Sequence, residues 1–168
     1  IKSINKFSNN LMTRHLLLTL GAEQLGESAT VEKGVLAVNA WLAAKHIDGS
    51  ALHMDNGAGL SRTARVNAEL MNAVLRSAYR SPYMPEFLSS LPLNGMDGTM
   101  RNRRRGNGMS GHMHIKTGTL DEVSAVAGYV QARSGRIYTV TGILNHELAD
   151  RGPGVELTDA LLTWVYAQ

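Results

Sequence analysis

The spacing of apolar residues changes at Gly111, and this change constrains the fold more than any other feature of the sequence. Before Gly111, apolar side chains recur at intervals of three and four residues, which is typical of amphipathic helices. After it they alternate along the chain, which is typical of β-strands. Helices followed by strands predict an α+β fold, in which helices cover an antiparallel sheet.

Three helices are predicted before this change. The first spans residues 10–20 and ends at Gly21, because glycine readily adopts the left-handed conformation of a C-cap. The second spans residues 30–46 and begins with Thr30 as its N-cap. The third spans about residues 63–79 and follows a turn-rich loop.

Three strands and a closing helix are predicted after Gly111. The strands span residues 112–119, 124–133 and 136–144, and Ser134 and Gly135 form a two-residue turn between the last two. Gly152 and Pro153 then open a C-terminal helix. The expected sheet is therefore an antiparallel three-strand meander.

Glycine and arginine are concentrated in residues 94–111, which predicts an exposed, mobile loop. This loop carries much of the positive charge of the chain, on Arg101, Arg103, Arg104 and Arg105. A net charge of +3 suits a mildly basic surface near an anionic polymer, and a solvated loop is the simpler interpretation. It is too small to indicate nucleic-acid binding, so no nucleic-acid partner is expected.

The composition fits one domain over residues 1–168. A hydrophobic content of 43% is enough for one sizeable core, in which Trp41 and Trp164 are expected because both lie on apolar helix faces. Without cysteine, neither a disulfide nor a thiolate site can form. The start at Ile1 has no initiator Met and no signal-peptide pattern, so we expect the chain to be cut from a longer one.

The end of the first predicted strand carries the sequence Lys116-Thr117-Gly118-Thr119. Lys116 offers a positive charge, the two threonines offer hydroxyls that can bind a carboxylate, and Gly118 lets a ligand approach the main chain closely. Taken alone, the tetrapeptide is weak evidence for one wall of a binding cleft, and an ordinary strand end is the favoured interpretation.

Other polar residues admit a functional and a structural interpretation. His112 and His114 alternate along a strand and can form a metal pair, but no third ligand is near in sequence, so ordinary strand side chains are favoured and no metal is expected. Asp55 and Asp97 can act as general acids, but beside glycines they are more often turn residues that bond their own backbone.

Four stretches resemble a known family along almost the whole chain. Ser8-Asn9-Asn10 and Lys116-Thr117-Gly118 match two of the three elements of the penicillin-recognising serine enzymes, whose third is the Ser-x-x-Lys that bears the nucleophile. The chain resembles the C-terminal part of the D-alanyl-D-alanine carboxypeptidases/endopeptidases of the penicillin-binding protein 4 type, serine peptidase family S13. The matching stretches are INKFSNN at 4–10, DNGAGLSR at 55–62, DGTM at 97–100 and KTGTL at 116–120.

The resemblance implies a site. Ser8 relays a proton to the leaving nitrogen, Asn10 holds the substrate's peptide group, and Lys116 supplies positive potential and bonds Ser8. The hydroxyls of Thr117 and Thr119 bind the terminal carboxylate beside Gly118, and the main-chain N–H of Thr119 is half of an oxyanion hole. We therefore expect Ser8, Asn10 and Lys116 to meet within roughly 3–6 Å.

The resemblance also implies a setting: a partial β-lactamase/transpeptidase-like domain acting through an acyl-enzyme, without a metal or other cofactor, in the periplasm or cell envelope. The expected substrates are peptidoglycan peptides ending in D-Ala-D-Ala, and β-lactams are the expected inhibitors. The missing N-terminal part of the same protein is the expected partner, because it supplies further strands of the sheet and the nucleophile.

Only one Ser-x-x-Lys occurs, Ser3 to Lys6, and it lies five residues before Ser8. A nucleophile so close to Ser8 in sequence cannot converge with it on one carbonyl, so we interpret Ser3 as a coincidence. The nucleophile is then outside this chain, and the fragment alone is expected to be inactive.

Two other functions remain open. A β-lactamase needs a base that releases the acyl group quickly, and no motif marks one. A non-catalytic peptidoglycan-binding or regulatory fragment keeps the carboxylate pocket without the chemistry. A Ser-x-x-Lys upstream of Ile1 in the parent protein distinguishes the enzyme from the binder.

Overall fold

A computed structural model describes residues 1–26, 28–103 and 108–168 of the chain. Arg104 and Arg105, which the sequence places in a basic cluster, lie outside the described residues. The chain divides into two compact units. The sheet unit comprises Ile1–Ser8 and Leu75–Gln168, and the helical unit comprises Asn9–Val74.

Helices come first in the chain and strands follow, as expected. The helices are α1 Lys2–Phe7, α2 Asn10–Leu25, α3 Val31–Ala44, α4 Ala68–Tyr79, α5 Met84–Ser90 and α6 Gly152–Tyr166, and the strands are β1 Met113–Leu120, β2 Val123–Gln131 and β3 Ile137–Asn145. A short 3₁₀ turn, Gly98–Met100, precedes β1. The α+β class is confirmed. None of the described helices is long and apolar enough to cross a membrane.

The three strands form an antiparallel meander in the order β1-β2-β3, which is the predicted topology. The predicted two-residue turn between β2 and β3 is wrong. Ala132 N–H bonds Arg136 O at 2.8 Å, which leaves three residues in the connection, and the third of them, Gly135, has a φ of 81°. A left-handed third residue is the usual way to close a three-residue hairpin. Among the described residues β3 pairs with β2 alone, and Ile137 at its start is 46% exposed.

Both faces of the sheet are buried. One face contributes Met113, Ile115 and Val126 to a core that also contains Leu162 and Val165 of α6. On the other face Tyr129 stacks edge-on against Phe87 of α5, with ring centroids 6.3 Å apart, and its hydroxyl donates to Leu75 O at 2.7 Å. Burial, with a smaller contribution from Tyr79, raises the pKa of Tyr129 to about 12.

Residues 92–94, called here the edge segment, border β1 on the side away from β2. Ile115 N–H donates to Pro92 O at 2.9 Å, and Asn94 N–H donates to Met113 O at 3.0 Å. Leu93 forms an antiparallel bridge with His114. The edge segment therefore extends the sheet by one short strand-like step, and it stops at the residue before Lys116.

The expectation of an exposed loop over residues 94–111 is correct for some described residues, such as Met96, Arg101 and Asn102, and wrong for three others. Asn94 and Met100 are fully buried, and Met109 is almost so. The Asn94 side chain donates to Met109 O at 2.8 Å and accepts from Met113 N–H at 2.9 Å, so one amide group holds both ends of the loop. Glycine content indicated turns correctly, but a single buried asparagine decides where the loop packs.

Arg103 is likewise not a solvated loop residue. Its Nε donates to Asp159 Oδ1 of α6 at 2.6 Å, and its guanidinium also donates to Thr158 Oγ1 at 2.6 Å. This part of the basic cluster therefore fastens the loop to α6 and contributes little to a free positive surface.

The helical unit is built on a close approach of α2 and α3. A Cβ on Gly21 would lie 2.6 Å from Gly34 N, and one on Gly34 would lie 2.5 Å from Leu17 O. Gly21 is thus a packing residue inside α2, and its prediction as a C-cap is wrong because α2 continues to Leu25 and is capped by Gly26. The prediction of Thr30 as the N-cap of α3 is confirmed, since its hydroxyl accepts from Lys33 N–H.

The third predicted helix begins later than expected, at Ala68. Thr63 is outside it because its hydroxyl donates to Asp55, and Arg65 pairs with His53 through two backbone hydrogen bonds of 2.8 Å. The Asn67 side chain then accepts from Leu70 N–H at 2.8 Å, which starts α4. Local side-chain and bridge contacts override the helical spacing here.

The placement of both tryptophans in a core is wrong. Trp41 is 42% exposed and Trp164 is 64% exposed. The buried face of α3 consists of Gly34, Ala37 and Leu42, and Trp41 is one residue, or about 100°, away from Leu42 around the helix. Small residues let the helices approach closely and leave the large ring at the margin.

We expect Asn94→Ala to lower the free energy of unfolding by about 2–4 kcal/mol, because Met109 O and Met113 N–H would stay buried without partners. Exposed Asn102 is the matched control, and its replacement by Ala should change stability by about 0.5 kcal/mol or less. Urea denaturation of the two variants measures both values. Equal effects would show that the Asn94 side chain does not hold the loop.

Candidate active site

Ser8 occupies a strained corner at the end of α1. Its backbone is left-handed, with φ 53° and ψ 50°, and its N–H bonds Ile4 O. This conformation costs a residue other than glycine about 1–2 kcal/mol, so the surrounding contacts must hold it. The next residue, Asn9, caps α2 by accepting from Met12 N–H at 3.0 Å. Ser8 therefore ends α1, and the residue directly after it caps the next helix.

The structure brings Ser8 and Lys116 together across 108 residues of sequence. Lys116 Nζ donates to Ser8 Oγ at 2.9 Å and to Thr117 O at 2.5 Å. Lys116 lies in the middle of β1, opposite Ala127 of β2, so the sheet fixes its backbone. Burial lowers the pKa of Lys116, because a charged ammonium loses solvation in the sheet unit. A lysine with a lowered pKa beside a hydroxyl is suited to proton exchange.

The outer end of β1 is accessible. Gly118 and Thr119 are exposed, and a Cβ built on Gly118 would meet only Ala125 Cβ, at 3.7 Å. The amide of Ile115 points away from β2 toward Pro92. Because amide directions alternate along a strand, the N–H groups of Thr117 and Thr119 point to the same outer edge. A ligand lying along this edge could therefore meet main-chain donors and the threonine hydroxyls.

Thr99 is a residue of this region to which the sequence gave no role. Its hydroxyl lies 3.2 Å from that of Thr117, which places the 3₁₀ turn beside the end of β1. The available signal was the stretch 97–100, which contributed to the family resemblance without indicating a contact.

Asn10 is the first residue of α2 and has an exposed side chain. It belongs to the helical unit, whereas Ser8 and Lys116 belong to the sheet unit. Its part in the site stays a prediction.

Lys6, the second-last residue of α1, forms a partly buried ion pair. Its ammonium donates to Leu91 O at 2.6 Å and to both carboxylate oxygens of Asp97, at 2.8 and 2.6 Å. Asp97 Oδ1 also accepts from Leu93 N–H at 2.8 Å. The three N–H groups of Lys6 are thus all used, and none is left to activate Ser3, which is exposed. The interpretation of Ser3-x-x-Lys6 as a coincidence agrees with this geometry.

Asp97 has a pKa below its ordinary value. Burial acts to raise the pKa and is the largest single influence, but the hydrogen bonds from Lys6 and Leu93, with the charge of Lys6, together outweigh it. The prediction that Asp97 is a structural residue is correct in kind, although its partner is Lys6 as well as the local backbone. Asp55 is similar, since its carboxylate accepts from the hydroxyls of Ser61 and Thr63.

The two histidines of the first predicted strand do not form a pair. His112 precedes β1 and packs against Tyr166 of α6, with ring centroids 5.5 Å apart. His114 is electrostatically coupled to Lys6 and Asp97, and burial is the main cause of its lowered pKa. The described ranges contain no group of three or more His, Cys, Asp or Glu side chains that could hold a metal ion.

Residues 1–165 match the model of the D-Ala-D-Ala carboxypeptidase 3 (S13) family. The chain belongs to this family. Over 137 residues, 79% of the chain, it is 34% identical to the D-alanyl-D-alanine carboxypeptidase of Actinomadura sp. strain R39 and covers 25% of that enzyme.

Solved structures show the same fold. Penicillin-binding protein 4 (dacB) of Haemophilus influenzae, complexed with a β-lactam, matches 99% of the chain with a TM-score of 0.90 and 22% identity. A predatory endopeptidase of Bdellovibrio bacteriovorus, acylated by penicillin G, matches 98% with a TM-score of 0.74 and 23% identity. The chain spans 41% and 44% of these two chains, so it corresponds to less than half of each.

The lowered pKa of Asp97 predicts a contribution to stability that depends on pH. A carboxyl whose pKa is lower in the folded state stabilises the fold above its unfolded pKa of about 3.9, and this stabilisation is lost as the pH falls through the folded pKa. Asp97→Asn should therefore be less stable than the original chain above about pH 4, and the difference should shrink at lower pH.

Urea denaturation between pH 7 and pH 2 measures this difference. Exposed Glu156, replaced by Gln, controls for the loss of one negative charge. A stability difference for Asp97→Asn that is constant across the range would contradict the assignment.

Proposed function

We propose that the protein containing this chain is a serine-type D-Ala-D-Ala carboxypeptidase/endopeptidase that acts on peptidoglycan peptides in the periplasm or cell envelope. The observation that carries this proposal is the 2.9 Å hydrogen bond from Lys116 to Ser8 in a chain of the carboxypeptidase family. It joins the two motif residues that the resemblance assigns to one site.

In the proposed reaction a serine outside this chain attacks the carbonyl carbon of the bond before the terminal D-alanine. Its proton passes to a neighbouring base, a C–O bond forms, and the C–N bond of the tetrahedral intermediate then breaks. The departing nitrogen takes a proton relayed by Ser8, whose Oγ is held by Lys116 Nζ. Water then attacks the acyl-enzyme, releases the shortened peptide and regenerates the serine.

The outer end of β1 fits the carboxylate end of such a substrate. Lys116 provides positive charge, and the hydroxyls of Thr117 and Thr119 provide donors. The amide of Thr119 points to the open edge, where it can serve as one donor of an oxyanion hole. Asn10 would hold the peptide group of the substrate from the start of α2.

Two competing functions predict different outcomes when the protein is exposed to benzylpenicillin. A β-lactamase would release the penicilloyl group rapidly and consume the drug. A non-catalytic peptidoglycan-binding or regulatory protein would form no covalent adduct. A carboxypeptidase of this type is expected to retain the penicilloyl adduct long enough for intact-mass measurement to detect it.

We therefore expect one penicilloyl adduct per molecule of the full-length protein that contains this chain, and none on residues 1–168 alone, because acylation requires the serine nucleophile. Lys116→Ala in the full-length protein should lower the acylation rate by about 10²–10³, the effect typical of removing one electrostatic contact to a transition state. Lys45→Ala, an exposed lysine at the end of α3, is the matched control.

Intact-mass measurement after exposure to benzylpenicillin gives both results. An unlabelled full-length protein would exclude the enzyme assignment. Labelling of residues 1–168 at Ser3 would overturn the interpretation of that motif as a coincidence, and rapid drug hydrolysis would favour the β-lactamase.

A further inference from the structure

The short helix that presents Ser8 needs an external support. α1 has six residues, fewer than an isolated helix needs to be stable in water, and it ends in a strained left-handed serine. Its anchors are all in the sheet unit. Asn5 Nδ2 donates to Ser90 Oγ at 2.8 Å, and Lys6 reaches Leu91 O and Asp97.

The Lys6 to Asp97 ion pair is continuous with the strand that carries Lys116. Asp97 accepts from the amide of Leu93, and Leu93 is the middle residue of the edge segment paired with β1. The last bond of this pairing, from Ile115 N–H to Pro92 O, lies one residue before Lys116. Ser8 is therefore connected to Lys116 by a chain of contacts. It consists of the last two residues of α1, the Lys6 to Asp97 ion pair, and the hydrogen bonds that Leu93 N–H and Ile115 N–H donate.

The backbone around this ion pair is tightly fitted. Gly98 has a φ of 55°, and a Cβ built there would lie 2.5 Å from Lys6 O and 3.2 Å from Pro92 Cβ. The carbonyl of Lys6 thus touches the residue that follows Asp97, so both the main chain and the side chain of Lys6 are fixed against the same turn. Lys6 itself is only 6% exposed.

We infer that Lys6 and Asp97 are a positioning pair that sets the distance between Ser8 Oγ and Lys116 Nζ. They touch neither the substrate nor the reacting atoms, and act by holding the end of α1 against the edge segment. The inference deepens the proposed function and rests on it for its kinetic consequence, since misplacing a proton-relay group by about 1 Å can cost 10²-fold in rate.

The first test uses Lys6→Met and Asp97→Asn in the full-length protein. Met keeps an unbranched chain of similar length, and Asn keeps an acceptor for Leu93 N–H while removing the charge. Each variant should lower the second-order rate constant for acylation by benzylpenicillin by about tenfold to hundredfold. If the pair acts only through Ser8, neither change should lower the rate of Ser8→Ala further, within about twofold.

Arg103→Met provides a matched control for destabilisation. The Arg103 to Asp159 pair is also 2.6 Å long and lies in the sheet unit, but it connects the loop to α6. Loss of the Arg103 to Asp159 ion pair should lower the melting temperature. Any decrease in acylation rate in this variant should be unrelated to Ser8, so the same decrease should be seen when Ser8→Ala is also present. Lys6→Met losses that likewise persist in that background would overturn the positioning role.

Crystal structures of the variants test the positioning role without relying on acylation by penicillin. In Lys6→Met and Asp97→Asn the separation of Ser8 Oγ and Lys116 Nζ should exceed 3.5 Å, beyond hydrogen-bond distance. An unchanged separation of 2.9 Å would overturn the inference, even if the protein binds penicillin normally. A full-length protein that penicillin does not label would refute the proposed function, and the structures would still decide the positioning role.

Asp97→Asn also covers the case in which Lys6→Met does not fold. The Asp97 side chain is 45% exposed, against 7% for Lys6, so its replacement is the milder change. Normal acylation and an unchanged Ser8 to Lys116 distance in this variant alone would be sufficient to reject the pair.

Discussion

The pairing of the edge segment with β1 is the constraint on which the rest of the sheet unit depends. Three residues, Pro92 to Asn94, add main-chain hydrogen bonds to a strand that would otherwise be open along its whole outer side. Asn94 extends this order to the loop, since its buried side chain bonds Met109 and Met113. Asp97 extends it to α1 through Lys6. The edge segment, the loop and α1 are thus connected by a small number of polar groups, and leaving the buried ones unpaired would be costly.

Two lysines in the same unit show how surroundings determine what a residue type can do. Lys6 has a carboxylate and a carbonyl as acceptors, so its charge is compensated and its position is fixed. In the described part of the chain Lys116 donates to the neutral acceptors Ser8 Oγ and Thr117 O, and burial lowers its pKa. A buried cation without a countercharge is poorly solvated, and it therefore attracts an anion. Because of this difference Lys116 is the better candidate for binding an anion, although Lys6 is the more buried lysine.

Periodicity was sufficient to predict the main helices, the three strands and their antiparallel order, because apolar spacing reflects which faces are buried. It failed where a single contact decides. A glycine at position 21 is compatible with a helix C-cap and with close packing against Gly34. Only the position of α3 shows that the packing role is the correct one. Burial of Asn94 depends on one backbone acceptor, Met109 O, and one backbone donor, Met113 N–H, which are 15 and 19 residues away. For the site, the family resemblance predicted that Ser8 and Lys116 lie close together. No local sequence pattern indicated that Lys6 and Asp97 are partners, because 91 residues separate them.

The edge segment ends before Lys116, and this limit affects how the protein behaves in solution as well as what it binds. Among the described residues of the sheet unit, no strand lies beside the main-chain donors at the outer edge of β1 beyond Ile115. Such an edge is a template for unwanted pairing between molecules. The residues at this edge reduce that hazard, because a charged lysine and a glycine are both unfavourable in paired strands. Residues 116–119, where the carboxylate of the substrate is proposed to bind, therefore also limit unwanted pairing between molecules.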